Sequence, residues 1–217
     1  MAASLIPPRL PAELAVLPNA LAELRAAPPD DRELSGLGLS GLCAKGEELS
    51  KLCLREARLS GCELVGCRLQ KAEFADVVFE SCDFSNCDFS DAYFSRCEFR
   101  ACKGVGVGMR EAVLRDVQFW GGNFRYSDWN GAALRAVRFR DAALCEASFS
   151  ECKAGPLGFS DCDLTRAAFF KTPLKGVDLR TNRIDGIVVS GPELKGAVVD
   201  VFQAAALARL LGVVIKD

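Results

Sequence analysis

Cysteine is the residue whose number and spacing could do chemistry in this chain of 217 residues, which has 11 cysteines and no histidine. Eight of the cysteines lie at separations that are multiples of five: Cys62, Cys67, Cys82, Cys87, Cys97, Cys102, Cys152 and Cys162. Thiolates hold zinc or an iron–sulfur cluster only when they converge on one point, and an evenly spaced ladder does not converge. We therefore predict that these thiols are small buried side chains that replace alanine, and that there is no metal site.

Other chemistry is also sparse in the sequence. Disulfides are not expected in a cytosolic protein with an odd number of cysteines. The missing histidines remove the commonest general base, and no nucleophile–base pair or paired carboxylate stands out. The glycine-rich stretch 104–108 lacks a following lysine, so we interpret it as a distorted coil or bulge. The sequence predicts a protein that is not an enzyme and that needs no cofactor.

The elements that position these cysteines follow a period of five residues. Steps of five from Leu34 to Val199 give 34 positions, of which 31 hold a large apolar residue. The exceptions are Ala44, Gly104 and Ala154. Twelve of the 14 phenylalanines fall in this register. Neither a helix, with spacings of three and four, nor a strand, with a spacing of two, explains a period of five.

A second register of mostly small residues lies two positions before the first, and Leu157 is its one large exception in the interior. The charged residues of the region lie almost entirely in the other three positions. We infer that the chain turns every five residues and forms four short sides per coil of 20 residues. Such coils stack by backbone hydrogen bonds at roughly 4.8 Å. The predicted fold class is all-β.

Stretches such as Ala72-Glu73-Phe74-Ala75-Asp76 and Cys82-Asp83-Phe84-Ser85-Asn86 resemble the A-(D/N)-L-X-X unit of the pentapeptide repeat proteins. That resemblance implies a right-handed quadrilateral β-helix, with a short N-terminal cap and a C-terminal helix added to it. We place the cap or arm at residues 1-31, the β-helix at 32-201, and a dimerisation helix and tail at 202-217. Within the cap, leucines spaced three, four and three apart over 11–27 predict a short helix interrupted near Pro18.

After the repeats, Asp200 is a candidate N-cap for a strongly apolar helix. An apolar helix at the end of a rod must pack against something, and we favour an end-to-end homodimer over a monomeric cap. The predicted dimer interface comprises Phe202, Ala205, Ala206, Leu207, Leu210, Leu211, Val213, Val214 and Ile215.

The C-terminal segment also carries a second resemblance. Pro192-Glu193-Leu194-Lys195-Gly196, Phe202-Gln203-Ala204 and Leu210-Leu211-Gly212-Val213-Val214-Ile215 are similar to the end of the quinolone-resistance pentapeptide repeat proteins, the Qnr family. That resemblance implies binding to DNA gyrase and topoisomerase IV and relief of fluoroquinolone inhibition. Because the register runs without insertions, the chain looks like the loopless chromosomal members, and any protection must come from the faces of the coil.

Charge is uneven along the predicted rod. Residues 71–100 carry a net charge of −4, and residues 101–145 a net charge of +3. An acidic strip is predicted from Glu63, Asp83 and Asp163 on one side and Asp88 and Asp128 on the next, with Asp91 at its corner. This strip either imitates DNA phosphates toward a basic groove, as the resemblance implies, or is an ordinary solvated face. Trp120, Tyr126 and Phe170 lie at outward positions, and large exposed aromatics are frequent at binding hot spots.

These observations predict a cytoplasmic, non-enzymatic β-helical homodimer. Its expected partners are principally DNA gyrase and also topoisomerase IV, and partial DNA mimicry is expected to contribute to binding. The rival hypothesis is an interaction scaffold of the same fold without a topoisomerase target. A net charge of −2 gives no basic footprint, so no direct nucleic acid binding is expected. No apolar run approaches the roughly 18 residues of a membrane span, so no membrane association is expected.

Overall fold

The computed structural model describes residues 5–210 and 212–216 and winds most of them into stacked coils of 20 residues. Every pairing between its strands is parallel and joins residues 20 apart. Phe74, for example, pairs with Phe94, and Phe94 pairs with Leu114. The predicted fold class, a quadrilateral β-helix with a cap at one end and a helix at the other, is confirmed.

Two adjacent sides of the coil form the continuous sheet. Its strands are β1 (Glu33–Ser35), β2 (Gly38–Ser40), β3 (Cys53–Ser60), β4 (Glu73–Glu80), β5 (Tyr93–Arg100), β6 (Val113–Trp120), β7 (Ala133–Arg140), β8 (Lys153–Ala154) and β9 (Leu157–Ser160). The other two sides are joined by single bridges, again 20 residues apart, such as Glu63 with Asp83 and Asp88 with Gly108. Residues that differ by 20 in number are therefore vertical neighbours on one side of the rod.

The interior is filled by the two registers that the sequence predicts. Phe79, Phe99, Phe119 and Phe139 stack with ring centroids 4.6 Å apart and nearly parallel planes. Rings on adjacent sides meet edge to face, as Phe119 does with Phe124. All eight cysteines of the small register are buried. The core is thus one continuous column of rings and small side chains. Each five-residue unit contributes one large and one small side chain to it, and together they exclude water from the interior.

The glycine-rich stretch 104–108 is not a distorted coil or bulge at Gly104, so that interpretation is wrong. Gly104 N donates to Asn123 O at 2.8 Å, and the bridge from Lys103 to Asn123 continues the regular ladder. A Cβ atom at position 104 would lie 2.8 Å from the Phe124 ring. The large residue is missing because the Phe124 ring already fills its space, and the coil itself is regular.

The N-terminal arm lies along the corner between the two sheet-forming sides. Arg9 N donates to Asp76 Oδ1 at 3.0 Å, and Ile6 N donates to Asp116 Oδ1 at 3.3 Å. Asp76 and Asp116 are two coils apart, about 9.6 Å. Three residues of polyproline II backbone span about 9.3 Å, and Pro7 and Pro8 favour that conformation. The proline-rich arm therefore matches the spacing of alternate coils.

The cap helix is shorter than the sequence predicts, since α1 covers only Ala20–Ala26. The first half of the predicted helix is extended instead, because Ala15 N donates to Gly36 O at 2.9 Å and Gly38 N donates to Ala15 O at 2.8 Å. This pairing gives hydrogen-bond partners to backbone groups on the open edge of the first coil. Buried Leu24 covers its open end, and Arg32 Nε donates to Leu24 O at 3.1 Å.

The C-terminal helix, α2, covers Val201–Leu210, and Asp200 caps it as predicted. Asp200 Oδ1 accepts from Phe202 N and Gln203 N, both at 2.8 Å, and Gln203 Oε1 accepts from Asp200 N at 3.1 Å. This reciprocal pattern is a capping box. Gln203 Nε2 also donates to Leu179 O at 2.8 Å, which fixes the helix to the last coils. Within the described residues, no helix reaches the length and apolarity of a membrane span.

Candidate interaction surfaces

The acidic strip occupies the two sides that the sequence assigns to it. Glu63 bridges to Asp83, and Asp163 lies on the same row, four coils beyond Asp83. Asp88 and Asp128 lie on the next side, two coils apart with Gly108 between them. The rows are therefore as predicted, but their acids are not contiguous, since Lys103 and Asn123 follow Asp83 on the first row.

Basic side chains one coil away pair with most of these acids. The pairs are Lys45 with Glu63 at 2.6 Å, Lys103 with Asp83 at 3.0 Å, Arg183 with Asp163 at 3.7 Å, and Arg110 with Asp128. Among the described residues, no basic side chain forms an ion pair with Asp88 or Asp91. Asp88 accepts from Gln70 Nε2 at 2.7 Å, and Asp91 is exposed at a corner. The strip consequently presents less negative charge than its sequence composition indicates.

Exposed aromatic side chains lie where the sequence places them. Tyr126 is 58% exposed at a corner, while Trp120 at the end of β6 and Phe170 are each somewhat more covered. The Arg140 guanidinium lies over the Trp120 ring, 5.2 Å from its centroid, which is a cation–π contact. Lys171 covers Phe170 in the same way at 5.1 Å.

The end of the rod presents a cluster of exposed apolar side chains. Phe202 is 84% exposed and Val214 79% exposed, and Leu210, Val213 and Ile215 are exposed as well. Ala206 is exposed and Ala205 is half-buried. Leu207 differs from the prediction, because it is buried in the core of the monomer and is not available to a partner. Leu211 lies outside the described residues.

A basic surface that the sequence reasoning did not assign as a site lies on the two sheet-forming sides. Arg115 and Arg135 are vertical neighbours on one side, and Arg138 and Arg140 lie on the next, with Trp120 beside them. The net charge of +3 over 101–145 is the signal that pointed to this region. The 20-residue period could have predicted this basic surface, because residues 20 apart in sequence are vertical neighbours on the rod.

Cys97 illustrates the buried cysteines of the small register. Cys97 is buried beneath Phe74, where its Sγ donates to the Phe74 carbonyl oxygen at 3.4 Å, and burial raises the pKa of its thiol to about 12. A protonated, enclosed thiol is neither a nucleophile nor a metal ligand. Among residues 5–210 and 212–216, no three metal-ligating side chains converge on one point. The geometry of the described residues supports recognition surfaces.

Comparison with protein-family models matches residues 72–149 to the pentapeptide repeat region. No curated protein gave a match. Among solved structures, a trypsin-treated form of QnrB1, a plasmid-mediated fluoroquinolone resistance protein, is 21% identical over 85% of this chain and 99% of its own, with a TM-score of 0.49.

Two cyanobacterial proteins are also similar in structure. HetL from Nostoc sp. strain PCC 7120, a pentapeptide repeat protein involved in heterocyst differentiation regulation, is 19% identical over 85% of this chain and 97% of its own, with a TM-score of 0.41. Rfr23, a pentapeptide repeat protein from Cyanothece 51142, is 17% identical over 84% of this chain and 98% of its own, with a TM-score of 0.32. The family match and the 20-residue coils confirm the predicted pentapeptide repeat fold.

Proposed function

We propose that this pentapeptide repeat chain is a non-enzymatic protein of the bacterial cytoplasm that binds DNA gyrase and, second, topoisomerase IV, and so protects them from fluoroquinolones. The observation that carries the proposal is the C-terminal segment. Its sequence resembles that of the Qnr family, and its helix is capped onto the last coils with a large apolar surface left exposed. A large contiguous apolar patch on a protein surface is typical of an interaction site, whereas single exposed apolar side chains are common.

Homodimerisation through this surface is part of the proposal. Two copies joined end to end would bury Phe202 and Val214 and double the length of the rod. The resulting surface is long, rigid and two-fold symmetric, which suits a symmetric partner. A dimeric topoisomerase is a partner of that kind.

Partial DNA mimicry is the subsidiary element of the proposal. Asp88 and Asp91 offer charge to a basic groove, whereas Glu63, Asp83, Asp128 and Asp163 each pair with a basic side chain. Exposed ion pairs are weak and can exchange partners at little cost. The acidic strip can therefore contribute to recognition, and Tyr126 and Trp120 offer additional apolar contacts.

Binding of the purified protein to immobilised gyrase at low and physiological salt tests this proposal. We expect binding that weakens as salt rises, because exposed charges are screened over roughly 8–10 Å in this range. The variant with Asp83→Asn, Asp88→Asn and Asp91→Asn should lose most of the salt dependence and bind more weakly. It should melt like the wild type, because all three residues keep a hydrogen-bonding side chain at the surface.

The matched control removes three exposed acids elsewhere, with Glu13→Gln, Glu56→Gln and Asp161→Asn. It should bind as the wild type does. Equal binding by both triple variants would remove the strip from the interface. No binding of the wild-type protein to gyrase or topoisomerase IV would leave the scaffold hypothesis in place of this proposal.

A further inference from the structure

One side of the rod carries a basic side chain in each of five consecutive coils. It is the side that contains the first halves of β6 and β7 and the whole of β8. Arg115 is the vertical neighbour of Arg135, and Lys153 in the next coil is the vertical neighbour of Ala133. At roughly 4.8 Å per coil, the five residues span about 19 Å. We call them the basic column: Arg115, Arg135, Lys153, Lys175 and Lys195.

The side chains of the basic column are free of ion pairs. All five are exposed, and among the described residues none of them takes part in an ion pair or a side-chain hydrogen bond. Many other basic side chains of the rod pair with an acid one coil away, as Lys103 does with Asp83 at 3.0 Å. The positive charge of the basic column is therefore not spent on a neighbour and is open to an anionic partner.

The acids of this side are held by the backbone. Its outward positions between residues 113 and 196 carry the five basic residues and two acids, Asp116 and Glu193, which leaves a net charge of +3. Asp116 accepts from Ile6 N at 3.3 Å, at the corner where the N-terminal arm lies. Glu193 is buried and accepts from three backbone N–H groups at 2.9–3.0 Å. Neither carboxylate forms an ion pair with the basic column.

The surface between the basic side chains is low, because its other outward residues are small. Within the described residues, no large apolar side chain is exposed on this side between 113 and 196. Protein interfaces are anchored by aromatic and other large side chains, and peripheral membrane proteins insert apolar ones. This side offers charge without such an anchor. The small residues include Ala133, Ala136, Gly155, Gly176 and Gly196.

We propose that the basic column binds the phosphate backbone of duplex DNA without preference for its sequence. A line of cations complements a line of phosphates, and contacts to phosphates carry no sequence information. Glu111 and Glu151 stand at the opposite corner of this side, so the positive surface is narrow. A narrow line suits a strand of phosphates better than the plane of an anionic membrane.

A single strand fits the basic column less well than a duplex. Proteins that bind single strands stack the bases on aromatic side chains, and the side has no exposed aromatic residue between 113 and 196 among the described residues. The net charge of −2, from which no nucleic acid binding is expected, averages this side with the acidic remainder of the chain. The proposal does not depend on gyrase, because DNA itself is the partner.

Fluorescence anisotropy of a short labelled DNA duplex, titrated with the purified protein at several salt concentrations, tests the proposal. We expect saturable binding at low salt, equal for two duplexes of unrelated sequence. The logarithm of the binding constant should fall with the logarithm of the salt concentration with a slope of about −4.5, because each of five neutralised phosphates contributes about −0.9.

A triple variant locates the site. Arg135→Gln, Lys175→Gln and Lys195→Gln together should reduce the slope to about −1.8 and weaken binding at low salt about tenfold or more. The variant should melt like the wild type, because all three side chains are exposed and free of ion pairs.

The matched control removes one arginine and two lysines from the opposite side of the rod, with Arg125→Gln, Lys45→Gln and Lys103→Gln. Its total charge equals that of the column variant, so a difference between the two reports where the charge lies. The control should keep the wild-type slope.

Three results would overturn the proposal. One is the absence of binding to the duplex at low salt. Another is a folded column variant with the wild-type slope. The third is tighter binding to single-stranded DNA, to polyglutamate or to vesicles that contain phosphatidylserine, which would assign the basic column to that partner. Gyrase is absent from these measurements, so their failure is distinct from a failure of the proposed function.

Discussion

Replacing Phe169 by alanine is expected to lower the free energy of unfolding by about 3–5 kcal/mol. Phe169 is fully buried, stacks on Phe149 at 5.2 Å and meets Phe159 edge to face at 5.8 Å. Its removal leaves a cavity that the stacked backbone cannot close, because the ladders on both sides fix the spacing of the coils. Equilibrium unfolding in urea, followed by circular dichroism, measures the loss.

The adjacent Phe170 is the matched control, since it is the same residue type at the next position but points outward. Phe170→Ala removes only an exposed ring and its contact with Lys171, so the change should be within about 0.5 kcal/mol. Similar losses at the two positions would show that the inward register is misassigned. A large loss at Phe170 alone would show that Phe170, and not Phe169, points into the core.

Replacing Phe202 and Val214 by aspartate is expected to convert the proposed dimer into a monomer. Both side chains are exposed in the single chain, so the change should leave the fold intact while it places two charges in an apolar interface. Sedimentation velocity at several concentrations measures the result. These substitutions are more informative than deletion of α2, because deletion also removes buried Leu207 and the bonds of Gln203 to the last coils.

Val188→Asp is the control for this experiment, because Val188 is an exposed valine on a side of the rod. It should remain dimeric. A dimer that survives the Phe202→Asp and Val214→Asp double variant would reject the C-terminal interface. A wild-type protein that is monomeric at every concentration would support the rival monomeric cap.

The period of five residues was sufficient to predict the fold, because it defines both what points inward and where the chain turns. Corner residues illustrate why. Asp76, Arg96 and Asp116 adopt φ between 51° and 57°, which costs energy for residues other than glycine. The stacked hydrogen bonds of neighbouring coils hold them there. A local propensity argument would not predict these turns, whereas the repeat does.

The candidate surfaces were only partly predictable. The acidic strip was predicted from the positions of the acids, but its neutralisation depends on residues 20 positions away, such as Lys103 above Asp83. Those neighbours could have been read from the repeat. The unpaired state of the basic column could not, because it depends on Asp116 and Glu193 being held by backbone N–H groups. The cap or arm at residues 1-31 was predicted, but its docking along the corner was not, since the spacing of the arm matches a corner ladder that only the folded coil creates.

The most direct test of the proposed function is DNA supercoiling by purified gyrase in the presence of ciprofloxacin, with this protein titrated into the reaction. The account predicts that supercoiling recovers as the protein is added and that the Phe202→Asp and Val214→Asp double variant restores less activity. Gyrase without the drug serves as the reference for direct inhibition. No recovery at any concentration of folded, dimeric protein would contradict the account.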